Sequence, residues 1–242
     1  MTRSVVEGDS PYHFIGRIGP RGSLPRAHAA DWCPVSSQTA LPLVVLLAGP
    51  SGSGKSSLAA RTGLPILRLD DFYKEGDDPT LPLVPDSADI DWDSVRSWDA
   101  EAAVAAVAEL CRTGRTTVPV YSIATSSRVD TETLDTAGAP LFVAEGIFAA
   151  DIVARCGELG LLADALCLRG RPSTTFRRRL LRDLREGRKS VPFLLRRGWR
   201  LMRAERSIVA RQTALGAYPC AGTEALGRIA EAARGRSVAV SS

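Results

Sequence analysis

The chain has 242 residues, of which 45% are hydrophobic and 24% charged, and its net charge is +4. That is an ordinary soluble composition, with enough apolar residues for a real core in one large domain or two small ones. No run of 18 apolar residues occurs, so a membrane span is not expected. The opening MTRSVVEGDSPYHF also lacks an apolar run with a cleavage site, so neither is secretion.

Residues 1–40 are rich in Gly, Pro, Ser and Ala with little periodicity, and they read as a poorly structured leader. The domain proper is expected over residues 41–242. LPLVVLLA, bounded by Pro42 and Gly49, is a continuous apolar run that suits a strand buried on both faces of a parallel sheet. The glycine-rich GPSGSGKSS follows, and Ser57 to Arg61 begin a helix that Gly63 ends. LPILRLD reads as a second strand finishing at Asp70. The segment from Lys74 to Asp89, with its three prolines and several acids, reads as surface loop. An alanine-rich helix is expected from Trp98 to Arg112, terminated by Gly114. TTVPVY reads as a short edge strand, because Pro119 cannot serve a central one. LFVAEGI and ADALCLRG are further strands. Basic helices are expected over Ser173 to Arg185 and Val191 to Leu215, and a last helix in GTEALGRIAEAARG. Strands alternating with helices predict an α/β three-layer sandwich with a central parallel sheet, whose ligands sit beyond the C-terminal strand ends.

Gly49, Gly54, Lys55 and Ser56 satisfy G-x-x-x-x-G-K-[ST], between a strand and a helix as that motif requires. Glycines let the backbone of Gly49, Ser51, Gly52, Ser53, Gly54, Lys55, Ser56 and Ser57 curl so that successive N–H groups face one anion. The helix that follows adds its unpaired N–H groups and the positive end of its dipole. Lys55 is placed to reach the outer phosphates and Ser56 to hold Mg2+, so ATP or GTP is the expected ligand. A GTP switch would need N-K-x-D, which is absent. A small-molecule kinase is the better match.

The chemistry then needs a base, a metal ligand and cations. Both histidines, His13 and His28, precede the loop, so the base is expected to be a carboxylate. Asp70, at the end of the neighbouring strand, can take the proton of an attacking hydroxyl and also touch Mg2+. Glu145 can hold Mg2+ or its water shell, or serve as a helix-capping acid. Of the pair Asp70 and Asp71, only one can face the loop. In DWDSVRSWD, Trp92 or Trp98 can stack a flat ligand while Asp93 accepts its hydroxyl hydrogens. Cations are concentrated: Arg169 to Arg211 holds 15 Arg or Lys against 3 Asp or Glu, leaving the remainder net acidic. Such a block attracts nucleic acid, closes over a polyphosphate, or is simply a solvated helix surface. Five cysteines, Cys33, Cys111, Cys156, Cys167 and Cys220, are scattered without C-x-x-C, which suits reduced thiols in a cytoplasm and offers no zinc cluster.

GPSGSGKSS, LDDFYK, DWDSVRSWD, VPVYSIATSSR, VAEGI and RRRLLRDLREGR, in that order, resemble the uridine kinase family of P-loop kinases, a superfamily shared with phosphoribulokinase. The resemblance runs from about Leu43 to Leu215. It implies a P-loop fold with an arginine-rich helical lid at about residues 170–190, ATP and Mg2+ as cofactors, and a small hydroxyl acceptor rather than nucleic acid or membrane. By the same resemblance Asp70 is the base and Glu145 helps hold Mg2+. Tyr73, Trp92, Asp93, Tyr121, Arg128 and Arg179 line the acceptor pocket, and Arg178 and Arg182 act from the lid. Family members often form homo-oligomers. The acceptor motif departs from the family's P-x-Y-D-F-x-x-H-x-R at Ser122, Ile123 and Ser126. Phosphoryl transfer therefore carries over more firmly than pyrimidine recognition, and a sugar or another hydroxyl compound stays open as acceptor.

Overall fold

The computed structural model describes residues 41–170 and 205–240. In chain order the strands are β1 Leu43–Ala48, β2 Ile66–Arg68, β3 Arg115–Ser122, β4 Ser127–Asp135, β5 Leu141–Glu145, β6 Leu162–Leu168 and β7 Tyr218–Cys220. The helices are α1 Lys55–Thr62, α2 Ala100–Thr113, α3 Val153–Glu158, α4 over residues 205–214 and α5 Gly222–Val240.

Five strands form one sheet in the order β2-β5-β1-β6-β7, and every pairing in it is parallel. A strand covered on both faces needs apolar side chains at successive positions, not alternate ones. In β1, Val44, Leu46 and Ala48 enter one core while Val45 and Leu47 enter the other. β5 divides the same way, with Phe142 and Ala144 on one side and Leu141 and Val143 on the other. The first core is closed by Ala103, Val107 and Leu110 of α2 and by Cys156 of α3. Leu58 and Ala59 of α1, with Ala225 and Ile229 of α5, close the second. The fold is thus a three-layer α/β sandwich with a central parallel sheet, and the loop after β1 lies at the sheet's C-terminal edge.

Helix ends follow their capping residues. Asp99 Oδ1 accepts from Ala102 N–H at 3.0 Å to start α2, and Gly114 ends it in the left-handed conformation at φ 74°. The described cysteines Cys111, Cys156, Cys167 and Cys220 are free and buried. Burial pushes the thiol of Cys111 up to about 12 and those of Cys156, Cys167 and Cys220 up to about 11. They remain unreactive thiols.

Three local expectations change. β2 ends at Arg68, and Leu69–Phe72 turns as a 3-10 helix, so Asp70 sits just past the strand. The turn forms because it sinks Leu69 and Phe72 into the core and buries Asp71. TTVPVY belongs to β3, which pairs antiparallel with β4 in a separate two-stranded sheet, Pro119 lying opposite Thr131. β4 carries no apolar alternation because most of its side chains are exposed. Of the helix expected over Val191 to Leu215, residues 205–214 are helical. The leader, the helix at Ser173 to Arg185 and the lid arginines lie outside the described residues. No described helix is long and apolar enough to cross a membrane.

Candidate active site

The loop after β1 is built on left-handed glycines, with φ 146° at Gly49, 81° at Gly52 and 98° at Gly54. A side chain at Gly49 could not be accommodated, since its Cβ would stand 2.7 Å from the carbonyl oxygen of Leu168. The loop is therefore pressed against the end of β6. Its curl is closed by Ser53 N–H donating to Pro50 O at 3.1 Å. Lys55 is buried, and its Nζ donates across the loop to Gly49 O at 3.0 Å and Pro50 O at 3.4 Å. Ser53 Oγ is buried without a hydrogen-bond partner among the described residues. A buried, unpaired hydroxyl beside a buried ammonium in a glycine cradle fits a bound polyphosphate, which would satisfy both.

Beside the loop lies a cavity of ≈ 280 Å³ lined by Ser56, Ile66, Arg68, Asp70 and Glu145. Ser56 Oγ donates to Glu145 Oε1 at 2.7 Å across 89 residues of sequence. Asp70 Oδ1 accepts from Ile147 N–H at 3.3 Å. Parallel pairing of β5 between β1 and β2 creates this convergence, because it aligns their three C-terminal ends. Ser56, Asp70 and Glu145 present hard oxygen donors to one space, which fits Mg2+. That ion takes one or two carboxylates and completes its shell with phosphate and water. Among the described residues there is no cluster of three His, Cys, Asp or Glu side chains that could hold a metal unaided.

Asp70 and Asp71 part company as the sequence demands. Asp71 is buried, accepts Tyr121 N–H at 3.2 Å and pairs with Arg68 at 3.4 Å, so it ties the turn to β3. Burial raises the Asp71 carboxyl above its ordinary range, partly opposed by the Tyr121 N–H and Arg68.

The residues expected to line an acceptor pocket include a cluster of aromatic rings. The Tyr73 ring meets Trp92 edge-on at 5.9 Å, Tyr121 at 5.8 Å and Phe148 at 6.0 Å. Tyr73 and Tyr121 donate their hydroxyls to Trp92 O and Lys74 O. Burial, and then the nearby carboxylates Asp70 and Asp93, drive the Tyr73 hydroxyl far above its usual range, so it stays neutral. Arg128 pairs with Asp99 at 3.6 Å, which orients it from the start of α2. Trp98 is core instead: it is buried and its Nε1 donates to Leu69 O at 2.7 Å. The departing positions form the β3–β4 tip. Ile123 is exposed, Ser122 Oγ accepts from Thr125 N–H, and Ser126, at φ 51°, accepts Gly76 N–H at 2.7 Å through its carbonyl.

No family model matches the chain. The uridine kinase of Saccharomyces cerevisiae is 31% identical over 121 residues, covering 45% of this chain and 23% of that protein. The uridine kinase of Schizosaccharomyces pombe is 36% identical over 110 residues, covering 43% of this chain and 24% of that protein. Over these stretches the chain is similar to both uridine kinases. It spans about a quarter of the length of these relatives. The phosphoribulokinase of Rhodobacter spheroides is a looser structural neighbour, 14% identical over 73% of this chain and 68% of its own, with a TM-score of 0.46.

The structure brings Lys55, Ser56, Asp70 and Glu145 together, and gathers the rings of Tyr73, Trp92 and Tyr121. Arg178, Arg179 and Arg182 lie outside the described residues. Two further residues, Arg68 and Gln212, contribute at this site without a sequence motif to mark them. Arg68 enters the cavity from β2, and its only sequence signal is its place two residues before Asp70. Gln212 of α4, wholly buried, donates to Ile147 O at 2.8 Å and accepts from Cys167 Sγ at 3.2 Å. It steadies the segment that holds Asp70, and no sequence pattern marks it. Arg211, on the same helix as Gln212, pairs with Asp151 of the 3-10 turn Ala149–Ile152, clamping that segment again.

Gly146 is the tightest point behind Asp70. A Cβ there would lie 2.7 Å from Leu69 Cβ and 3.0 Å from Asp70 Oδ1. Gly146→Ala is expected to push Asp70 out of line and reduce kcat by about 10², the cost of a small misplacement of a reacting group. Nucleotide affinity should hold; steady-state kinetics beside direct binding would separate the two.

Glu145 is buried, and that burial raises its carboxyl above the ordinary range, opposed by the Ser56 hydrogen bond and Lys55. Below the unfolded-state pKa both states are protonated and its contribution is fully present. As pH rises towards the folded-state pKa, the native chain keeps a proton that the unfolded chain has released, and stability falls. Above it, the ionised form is a net cost to the nucleotide-free fold. Glu145→Gln should therefore raise the Tm of nucleotide-free protein by a few degrees at neutral pH, with the gain vanishing near pH 4. Equal melting curves across that range would contradict the sign.

Proposed function

We propose that this protein transfers the γ-phosphoryl group of ATP to a hydroxyl of a small acceptor, with a nucleoside of the uridine or cytidine kind as first preference. The observation that carries the reading is Asp70. Its carboxylate is held by Ile147 N–H in the same cavity as Ser56 and Glu145, beside the buried Lys55. In this reading the loop N–H groups and Lys55 hold the triphosphate, while Ser56, Glu145 and Asp70 provide the oxygens for Mg2+. Bound Mg2+ would offset the negative charge of the outer phosphates. Asp70 orients the acceptor hydroxyl and takes its proton as the oxygen bonds to the γ-phosphorus. The bond to the bridging oxygen then breaks and ADP leaves. Tyr73, Trp92 and Tyr121 offer an aromatic wall, Asp93 a hydrogen-bond acceptor and Arg128 a cation held by Asp99 for the acceptor's polar edge. On sequence alone, Arg178, Arg179 and Arg182 are assigned to a lid that neutralises the transferred group.

Ser122, Ile123 and Ser126, which replace the family's aspartate, phenylalanine and histidine, leave a non-nucleoside sugar or hydroxyl metabolite as the second acceptor class. The cytoplasm is the proposed place of action, in keeping with free, buried thiols. An ADP-release screen with uridine, cytidine, other nucleosides, ribulose 5-phosphate, pantothenate and simple sugars tests the reading. Acceptor-dependent ADP release supports it, and ADP release that no acceptor stimulates defeats it. A non-enzymatic alternative draws on the basic block from Arg169 to Arg211. Steeply salt-dependent RNA or DNA binding, unaffected by saturating ATP and Mg2+, would favour that one.

A further inference from the structure

Arg68 stands at the end of β2 and lines the cavity shared by Ser56, Asp70 and Glu145. In the strand order β2-β5-β1, Lys55 approaches this space from the β1 side and Arg68 from the β2 side, with Glu145 of β5 between them. The Arg68 side chain is 62% exposed, and its one ion pair among the described residues joins Nε to Asp71 at 3.4 Å. That contact leaves the two terminal nitrogens of the guanidinium without a partner among the described residues. Asp71 holds the stem of the fork from below, since its own carboxylate is fixed by Tyr121 N–H. The cavity itself faces two carboxylates, Asp70 and Glu145. A triphosphate entering it with Mg2+ still adds negative charge, and Arg68 is the one cationic side chain among the residues that line the cavity.

We propose that Arg68 is a further phosphate-binding residue whose guanidinium edge takes an oxygen of the outermost phosphate of the bound nucleoside triphosphate. This rests on the proposed function above and deepens it. A planar fork suits a phosphate better than a point charge does, because it can offer parallel N–H donors to its oxygens. The contact discriminates a triphosphate from a diphosphate, because it is made to the outermost phosphate, which the latter lacks. Arg68 favours loading with ATP over retention of ADP.

The test is calorimetric binding of ADP and of a β,γ-imido ATP analogue, both with Mg2+, to the full chain. Arg68→Gln should weaken the analogue about tenfold or more, the worth of a charge-assisted hydrogen bond, and leave ADP within about twofold. Arg68→Lys should restore part of the loss. Asp71→Asn, which keeps the guanidinium while removing its ion pair, should preserve the preference for the analogue. If Arg68→Gln strands the buried Asp71 and fails to fold, the double variant Arg68→Gln with Asp71→Asn removes both charges together and carries the same expectation. Equal losses for both ligands, no loss for either, or a selective loss reproduced by Asp71→Asn alone would overturn the assignment. A wild-type chain that binds neither nucleotide would instead overturn the whole triphosphate reading.

Discussion

Asp70→Asn is expected to lower turnover by about 10²–10⁴, the usual worth of a positioned acid–base group, while nucleotide affinity and folding stay close to wild type. The substitution keeps the shape of the side chain, and an asparagine oxygen can still accept the Ile147 N–H that Asp70 Oδ1 accepts at 3.3 Å. What it removes is the capacity to take a proton. The neighbouring position supplies the control. Asp71 is buried, bonded to Tyr121 N–H and paired with Arg68, so Asp71→Asn should act on stability and spare turnover. Measuring ADP release and Tm for both variants separates a chemical role from a structural one. Turnover unchanged in Asp70→Asn would end the case for this carboxylate as the base.

Lys55→Met should cost nucleotide affinity about tenfold to a hundredfold, since hydrogen bonds to a charged group contribute roughly 1.5–3 kcal/mol. The same change should do little harm to the fold. Lys55 is only 7% exposed, and its ammonium is taken out of water to reach Gly49 O and Pro50 O. Removing a buried charge recovers its desolvation cost, which offsets the carbonyl bonds that are lost. Methionine has similar length and packs readily in the space left behind. The pairing of a nearly constant Tm with weak binding, read by thermal melts and calorimetry, marks a charge kept for its ligand. Affinity equal to wild type would show that the loop backbone alone holds the nucleotide.

The sequence by itself determined the central strands and the phosphate loop, and both were legible for local reasons. A strand covered on two faces must be apolar at nearly every position, so LPLVVLLA and LFVAEGI stand out in any reading of the chain. The loop needs glycine where φ is positive, and Gly49, Gly52 and Gly54 provide it at fixed spacing. Helix α2 announced itself through its alanine-rich composition and Gly114 at its end, while the Asp99 cap at its start came from the structure.

Tertiary structure alone decided how these pieces meet. β4 is solvated on most of its positions, so no hydrophobic period could reveal it; pairing with β3 creates it. The turn at Leu69–Phe72 selects Asp70 over Asp71 because burying Leu69 and Phe72 also carries Asp71 inward. Ser56 and Glu145 are 89 residues apart, and Asp70 and Ile147 are 77 apart; parallel strand alignment brings each pair into contact. Arg68 and Gln212 gain their meaning the same way, one from the cavity it enters and the other from the carbonyl it reaches. Propensity and pattern act over a few residues, whereas a site assembled at the ends of three strands depends on contacts that no local window contains.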